Sequence, residues 1–244
     1  MRRIREIAKR VPGIPYVYGR LRRLKEMFIL KNADIEEVFA NIFTENRWRG
    51  KDSFSGTGSD LHQTRVIIEE LPLLFRDLRI STFLDIPCGD FHWMCRVDLK
   101  GVNYVGVDIV KELIQKNKEK YERENVQFQH LNLIEDKIRK VDLILCRDCL
   151  VHLSFDDAFL ALRNICDSQS THLLTTTFTT RMENHDIFTG QWRTLNLEIA
   201  PFNLPKPLRI INEDCTEGNS VYSDKSLGLW NIEDIKKCLT KHCV

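Results

Sequence analysis

The sequence predicts an α/β fold, with a Rossmann-like, mostly parallel seven-stranded sheet, an antiparallel C-terminal hairpin and helices on both faces. Two observations lead to this fold class. Short β-branched runs alternate with helix-length segments through the middle of the chain, which is typical of βαβ units and a parallel sheet. Two later runs have no helix-length spacer between them, so we expect them to pair antiparallel.

The elements follow from hydrophobic periodicity and capping residues. The predicted parallel strands are residues 81–86, 104–109, 126–131, 141–146 and 171–178, and the hairpin strands are 207–213 and 226–232. The predicted helices are 34–46, 61–78, 111–124 and 155–167. We expect Ser59 or Asp60 to cap the second helix, Pro72 to kink or split it, and Ser154 to cap the fourth.

Charge is distributed unevenly along the chain. The net charge of +1 over 244 residues does not favour a nucleic-acid partner, but residues 1–31 contain ten Lys or Arg and two Glu. That segment has a formal charge of +8, which leaves −7 for the rest. We therefore predict a basic helical N-terminal extension over residues 1–45 and one domain over residues 46–244. The extension is suited to peripheral contact with an anionic membrane surface.

The cysteines indicate a reducing compartment. Several of the eight lie in apolar runs, and no segment has the pattern of a secretory leader or an apolar span of about 20 residues. We expect free thiols in a cytoplasmic protein. Cys146 and Cys149 form a C-x-x-C without a second pair at zinc-site spacing, so no metal is expected.

The turn after the first predicted strand, in "FLDIPCGDFHWM", indicates the kind of ligand. Ligands of open parallel sheets bind beyond the carboxyl ends of the strands. Asp108 ends the next strand, 23 residues after Asp85, and a carboxylate there can accept hydrogen bonds from two ribose hydroxyls. A pyrophosphate would need amide donors without nearby carboxylates, whereas Asp85 and Asp90 flank this turn and Gly89 is its only glycine.

These charges favour a cationic nucleoside over a nicotinamide dinucleotide. S-adenosylmethionine (SAM) has an ammonium, a sulfonium and a ribose, and it needs no close approach of a diphosphate to the backbone. A nicotinamide dehydrogenase on the same kind of sheet is the competing enzyme class. The lone glycine and the two acids of the turn are unfavourable to it.

The segments "LDIPCGDFHWM" and "YVGVDI" together resemble the first two motifs of the class I SAM-dependent methyltransferases. The resemblance is to a subgroup with D-x-P-C-G-D-x-x-W-M in place of the common D-x-G-x-G-x-G, and it extends from about Trp48 to Trp230. It implies a SAM site in which Asp85 lies under the methionine part and Asp108 holds the ribose. The other cofactor-binding residues that it implies are Pro87, Cys88, Gly89, Ile109, Asn132, Leu133 and the carbonyl of Arg147.

One candidate wall of this site is the polar segment of residues 46–64. It is suited to a lid over the cofactor, with Gln63 or Ser55 near the methionine carboxylate.

The catalytic candidates, Asp148 and His152, follow the fourth strand. His152 is a candidate general base, and Asp148 is a candidate for orienting His152 or the acceptor. A packing role for His152 is the alternative.

The insertion "GQWRTLNLEIAPFNLP" is the candidate acceptor wall. Trp192, Arg193 and Asn196 would supply a stacking face, an anion clamp and an amide, and a structural loop is the alternative. We expect O-methylation of a small polar acceptor such as a sugar or a glycan precursor. Methylation of RNA or protein, and SAM binding without catalysis, are the other hypotheses. The segment after the fourth strand lacks an N-P-P-Y-like tetrapeptide, and no aromatic–basic stripe indicates RNA.

Overall fold

The computed structural model describes residues 34–48 and 50–241. The basic segment of residues 1–31 lies outside the described residues. A seven-stranded sheet forms the centre, with the strand order β3-β2-β1-β4-β5-β7-β6. The strands are β1 (Thr82–Asp85), β2 (Asn103–Asp108), β3 (Val126–His130), β4 (Leu143–Cys146), β5 (His172–Phe178), β6 (Arg209–Asn212) and β7 (Lys225–Asn231).

The strand directions confirm the predicted fold class. Strands β1 to β5 pair in parallel, and β7 pairs antiparallel with both β5 and β6. Each predicted strand is present, and its ends differ from the prediction by at most two residues. This mixed, mostly parallel sheet with helices on both faces is the Rossmann-like arrangement that the sequence predicts.

In the described part of the chain, the helices of ten or more residues are α1 (Ile35–Thr44), α2 (Leu61–Leu78), α3 (Lys111–Tyr121), α4 (Phe155–Asp167) and α5 (Ile232–Lys241), and a short helical turn spans Glu217–Ser220. The sequence had not indicated α5. Helix α2 runs through Pro72 as one element, so the expected split does not occur. The cap of α4 is confirmed, because the hydroxyl of Ser154 accepts from the Asp157 N–H at 3.1 Å. Asp60 precedes α2, but its carboxylate accepts from the Asp52 N–H and not from the helix.

The two faces of the sheet build separate apolar cores, because successive residues of a strand point to opposite sides. Phe83 packs with Leu71 of α2 on one face, and Leu84 packs with Leu162 of α4 on the other. The cysteines in the described part are free thiols. Across that part of the chain, no helix is long and apolar enough to cross a bilayer.

The strand directions bring one end of each of the seven strands to the same edge of the sheet. The carboxyl ends of β1 to β5 lie there because these strands are parallel. Since β7 is antiparallel to β5, its first residue, Lys225, lies at the same edge, directly opposite Phe178. Strand β6 is antiparallel to β7, so its final residues also lie there.

At the other edge, Asp142 ties the start of β1 to the start of β4. Its Oδ2 accepts hydrogen bonds from the backbone N–H groups and the hydroxyls of Ser81 and Thr82, at 2.8–2.9 Å. Burial acts to raise the pKa of Asp142, but these four donors outweigh it and lower the pKa to about 2.

We predict that Asp142→Asn lowers the free energy of unfolding at pH 7 by about 1–3 kcal/mol, because an amide cannot accept all four bonds. The carboxylate stabilises the fold above its usual pKa of 3.8, and this contribution is lost as the pH falls toward 2. Urea unfolding should therefore show the difference from wild type shrinking from pH 4 downward. Asp77→Asn is the control, because the ion pair of Asp77 with Arg209 is exposed at the surface and contributes about 0–1 kcal/mol to the free energy of unfolding. An undiminished difference at pH 3 would contradict the role given to the charge.

Candidate cofactor and acceptor site

A cleft that is partly open to solvent lies over the carboxyl ends of β1, β2 and β4. The structure brings nearly all the expected cofactor residues to its wall, together with both catalytic candidates. Those present are Ser55, Asp85, Pro87, Cys88, Gly89, Asp108, Ile109, Asn132, Leu133, Arg147, Asp148 and His152.

The single glycine of the turn is required by a close contact. Gly89 has φ +54°, and a Cβ there would lie 2.2 Å from the Oγ of Ser55. Its N–H donates to Oδ2 of Asp108 at 3.1 Å, and the Val110 N–H donates to Oδ1 at 3.0 Å. Burial nevertheless raises the pKa of Asp108 to about 6. The turn thus holds Asp108, the carboxylate that the sequence assigns to the ribose, with two backbone hydrogen bonds that do not fully offset the cost of burying its charge.

Asp85 is a second buried carboxyl group at this turn. The hydroxyl of Tyr104 donates to its Oδ2 at 2.8 Å, and Gly106 makes room, since a Cβ there would lie 2.8 Å from that hydroxyl. Burial raises the pKa of Asp85 to about 7, against the opposing effects of the Tyr104 hydrogen bond and the Arg147 charge. Among the described residues, the cleft therefore has a surplus of buried carboxyl groups over paired cations, and a cationic ligand would favour their ionised form.

Asp90 has a structural role at this turn and also lines the cleft. Its carboxylate accepts from the hydroxyl of Ser53 at 2.9 Å and from the N–H of Phe54 at 2.8 Å. The Oγ of Ser55 in turn accepts from the Asp90 N–H at 3.0 Å. Asp90 therefore holds the segment of residues 53–55 over the turn.

The cleft has a roof from two segments. Trp48, Phe54, Ser55 and Ser59 line it, as a lid over residues 46–64 would require. Helix α1 adds Ile35, Phe39 and Phe43, although the sequence placed this helix in an N-terminal extension. The domain boundary at residue 45 stays a prediction.

Gln63 is not brought to the cleft, which corrects the role expected for it. Its side-chain amide donates to the hydroxyl of Thr216 at 2.9 Å and accepts from the Thr216 N–H at 3.1 Å. These two bonds tie α2 to the segment after β6. Ser59, four residues earlier in the 3₁₀ turn Thr57–Ser59, lines the cleft instead.

Asn132 lines the cleft and also shapes the turn after β3. Its Oδ1 accepts from the Ile134 N–H at 3.0 Å, and its Nδ2 donates to Glu135 at 3.2 Å. Both interpretations of this residue, a turn-forming Asn and a ligand-facing amide, are therefore compatible with its position.

Arg147 is the centre of a buried ion network that the sequence did not indicate. Its guanidinium contacts Glu213 at 2.6 Å, the carbonyl of Gly58 at 2.8 Å and Asp148 at 3.2 Å. The ammonium of Lys225 contacts Asp148 at 2.6 Å and Glu213 at 3.5 Å. The strand directions could have predicted this network, because they place Glu213, after β6, and Lys225, at the start of the antiparallel β7, at the same edge of the sheet as Arg147.

Asp148 and His152 both line the cleft but do not form a pair. Asp148 has φ +51° and is bonded to Lys225; burial opposes its ionisation, but Lys225 and then Arg147 lower its pKa to about 2. His152 lies at the end of the 3₁₀ turn Leu150–His152, and its Nδ1 is 2.8 Å from the carbonyl of Gln191. The expectation that Asp148 orients His152 is corrected, because a backbone carbonyl does so.

Two of the three acceptor candidates are structural. Arg193 is buried, and its guanidinium donates to the carbonyl of Leu153 at 2.6 Å, so it is not an anion clamp. The Nδ2 of Asn196 donates to the carbonyl of Arg181 at 2.9 Å. Their loop has no regular secondary structure, so its buried backbone groups need side-chain partners. Trp192 alone remains accessible, with 44% of its surface exposed.

Trp192 belongs to a second, more open cavity beside the cleft. Its other lining residues are Thr57, Phe178, Glu217, Tyr222 and Lys225. The 3₁₀ turn Thr57–Ser59 separates the two spaces, since Ser59 lines the cleft and Thr57 lines the cavity. Asp148 lines the cleft and Lys225 lines the cavity, and the two side chains are in contact at 2.6 Å.

Residues 84–168 match the family model described as "Methyltransferase domain". None of the curated proteins matches this sequence significantly. Among solved structures, one similar chain is a 1,6-didemethyltoxoflavin-N1-methyltransferase of Burkholderia thailandensis, with bound 1,6-didemethyltoxoflavin and S-adenosylhomocysteine (SAH). Its TM-score is 0.59 at 16% identity, and the match covers 80% of this chain and 87% of that one.

Human N-acetylserotonin methyltransferase in complex with SAM has a TM-score of 0.57 at 11% identity over 82% of this chain. This chain spans 60% of the length of that human protein. The methyltransferase domain of a bacterial Hen1 has a TM-score of 0.52 at 12% identity, covering 70% of this chain and 100% of that one. These likenesses show the fold, and with the domain match they support a SAM-dependent methyltransferase, with S-adenosylmethionine as its cofactor.

Proposed function

We propose that this protein transfers the methyl group of SAM to a hydroxyl of a small polar acceptor, such as a sugar or a glycan precursor. The observation that carries the proposal is His152, a cleft-lining imidazole whose tautomer is fixed by a hydrogen bond. A carbonyl oxygen can only accept, so Nδ1 bears a proton and donates to the carbonyl of Gln191 at 2.8 Å. The lone pair therefore resides on Nε2.

The charge of His152 suits a general base. Burial lowers the pKa of His152 below its usual 6.5, so the ring is neutral at pH 7. Asp148 cannot take this role, because its contact with Lys225 and Arg147 keeps its pKa near 2. A base is needed only when the acceptor must lose a proton, which favours a hydroxyl over a thiolate.

The cofactor would lie along the cleft with its cationic part toward the turn. Asp85 would face the methionine end, Asp108 would accept from the ribose hydroxyls, and Asn132 lies where an adenine edge would reach. A side-chain amide can both accept from the adenine amino group and donate to a ring nitrogen. Binding would neutralise the carboxyl surplus described above.

The reaction is an in-line displacement at the methyl carbon. The acceptor oxygen forms a bond to that carbon while the bond from carbon to sulfur breaks and its electron pair stays on sulfur, which gives SAH. The hydroxyl proton passes to Nε2 of His152 and later to water. Positioning of the two reactants supplies much of the rate.

The proposal is tested with a panel of methyl acceptors and radiolabelled SAM. We expect label in the oxygen-methylated product of a sugar. Label found only in RNA or protein would contradict the acceptor class, and SAM binding without transfer to any member of the three groups would contradict catalysis. Binding of NAD without binding of SAM would contradict the cofactor.

We predict that Asp85→Asn stabilises the unliganded protein yet weakens SAM binding. Asp85 keeps its proton up to about pH 7 when folded but ionises near 3.8 when unfolded, so its carboxyl lowers the free energy of unfolding as the pH rises from 4 to 7. At pH 8 the variant should be more stable by about 1–4 kcal/mol, and the gap should close toward pH 4. Calorimetry should show SAM affinity reduced at least about tenfold. The exposed Asp98→Asn should change neither, and a variant of Asp85 that is less stable at pH 8 would contradict the argument.

We predict that Gly89→Ala disrupts the turn more than backbone strain alone explains. Its Cβ would meet Ser55 at 2.2 Å, whereas Gly101 has φ +78° with no atom within 4 Å of an added Cβ. Gly101→Ala is the matched control, and it should lose about 1–2 kcal/mol of stability and keep its SAM affinity. Gly89→Ala should lose SAM affinity at least about tenfold. Equal SAM affinity in the two variants would contradict the contact.

We predict that His152→Ala lowers turnover about 10²–10⁴-fold and leaves SAM affinity nearly unchanged. The wild-type rate should fall as His152 gains a proton below its lowered pKa, and the variant should lack this acidic limb. The control is His62→Ala, an exposed histidine outside the cleft. A wild-type rate in His152→Ala at saturating acceptor would show that positioning suffices.

A further inference from the structure

We propose that the second cavity is the acceptor subsite, and that it binds a neutral, polyhydroxylated ring with one face against Trp192 and two hydroxyls between Glu217 and Lys225. This inference rests on the proposed methyl transfer, because the cavity is identified as a subsite by its position beside the cofactor cleft. It replaces the acceptor wall that the sequence placed on Arg193 and Asn196.

Three aromatic rings form one corner of the cavity. Trp192, Phe178 and Tyr222 lie 5.1–6.2 Å apart between centroids and meet at 73–83°, nearly perpendicular to one another. The face of an aromatic ring is negative and attracts the C–H bonds of an apolar surface. A saturated ring with C–H bonds on one face and hydroxyls at its rim fits such a corner.

The charges around this corner disfavour an ionic ligand. The guanidinium of Arg181 already lies 5.7 Å from the Phe178 ring and 5.9 Å from the Tyr222 ring, and Lys225 lines the same cavity. A further cation would be repelled by both. An anion would face the carboxylate of Glu217, so a neutral ligand fits best.

The polar groups match a pair of neighbouring hydroxyls. Lys225 has three N–H donors, of which Asp148 and Glu213 engage two, and the third is available to an acceptor oxygen. Glu217 accepts from the hydroxyl of Thr57 and retains further lone pairs. One group donates and the other accepts, which is the combination that a diol satisfies.

The cavity also lies close enough to the chemistry. A Cβ built on Gly58 would be 3.3 Å from Asp148, 3.3 Å from Glu217 and 3.4 Å from Lys225, so a single glycine separates the cleft from the cavity. On the other side, His152 accepts through its carbonyl from Gly190 and contacts Gln191, next to Trp192. Residues 190–192 therefore contact the proposed base and also supply one ring of the aromatic corner.

The test uses a panel of methyl glycosides of common hexoses and deoxyhexoses, added to the SAH-loaded protein and followed by saturation-transfer NMR and calorimetry. We expect at least one glycoside to bind, and Trp192→Ala and Glu217→Gln each to weaken it roughly tenfold or more. SAH affinity should stay unchanged in both variants, which shows that the fold and the cleft are intact.

Matched controls separate local from general effects. Leu160→Ala removes a side chain with the same 44% exposure on helix α4, and Glu183→Gln neutralises an exposed carboxylate. Both should bind the glycoside as wild type does. Binding or turnover of a glycoside that neither cavity variant alters would overturn the subsite and leave the proposed function standing. SAH binding with no glycoside bound would overturn the ligand class, whereas failure to bind SAM or SAH would refute the proposed function itself.

Discussion

The buried contact between Arg147 and Glu213 joins the two halves of the site. It links the residue after β4 to the residue after β6, and the same guanidinium holds the carbonyl of Gly58. Both charged groups are almost completely inaccessible, so removing either would strand the other in a medium that solvates it poorly. This buried ion pair therefore holds the segment that separates the cleft from the cavity.

The two spaces differ in the charge that they present. In the cleft, Asp85 and Asp108 are buried beside hydrogen-bond donors without a directly paired cation among the described residues, and burial raises the pKa of each carboxyl group. In the cavity, Lys225 and Glu217 are of opposite sign and Arg181 is paired with Asp224. The first arrangement favours a cationic ligand, whereas the second favours a neutral one with donors and acceptors.

Local features of the sequence predicted the sheet and the turn, because strand periodicity, the lone Gly89 and the spacing to Asp108 depend on neighbouring residues. The ion network was not predicted, since Glu213 and Lys225 meet Arg147 only through the strand order and the antiparallel β7. Arg193 was misassigned for the opposite reason. Its charge suggested a ligand, but the irregular segments nearby needed partners for their backbone carbonyls, and this demand is visible only in the folded chain.

The proposed chemistry moves charge across the site without changing its total. Before transfer, the sulfonium is positive and His152 is neutral; afterwards, SAH is neutral at sulfur and the imidazole has gained the proton. The attraction between Asp85 and the cofactor thus weakens at the moment when product must leave, while the new cation lies on the side of Asp148, whose carboxylate is held ionised by Lys225. An empty cleft regains its carboxyl surplus, which again favours SAM over SAH. The same buried acids that destabilise the unliganded fold would therefore bias the exchange of product for substrate.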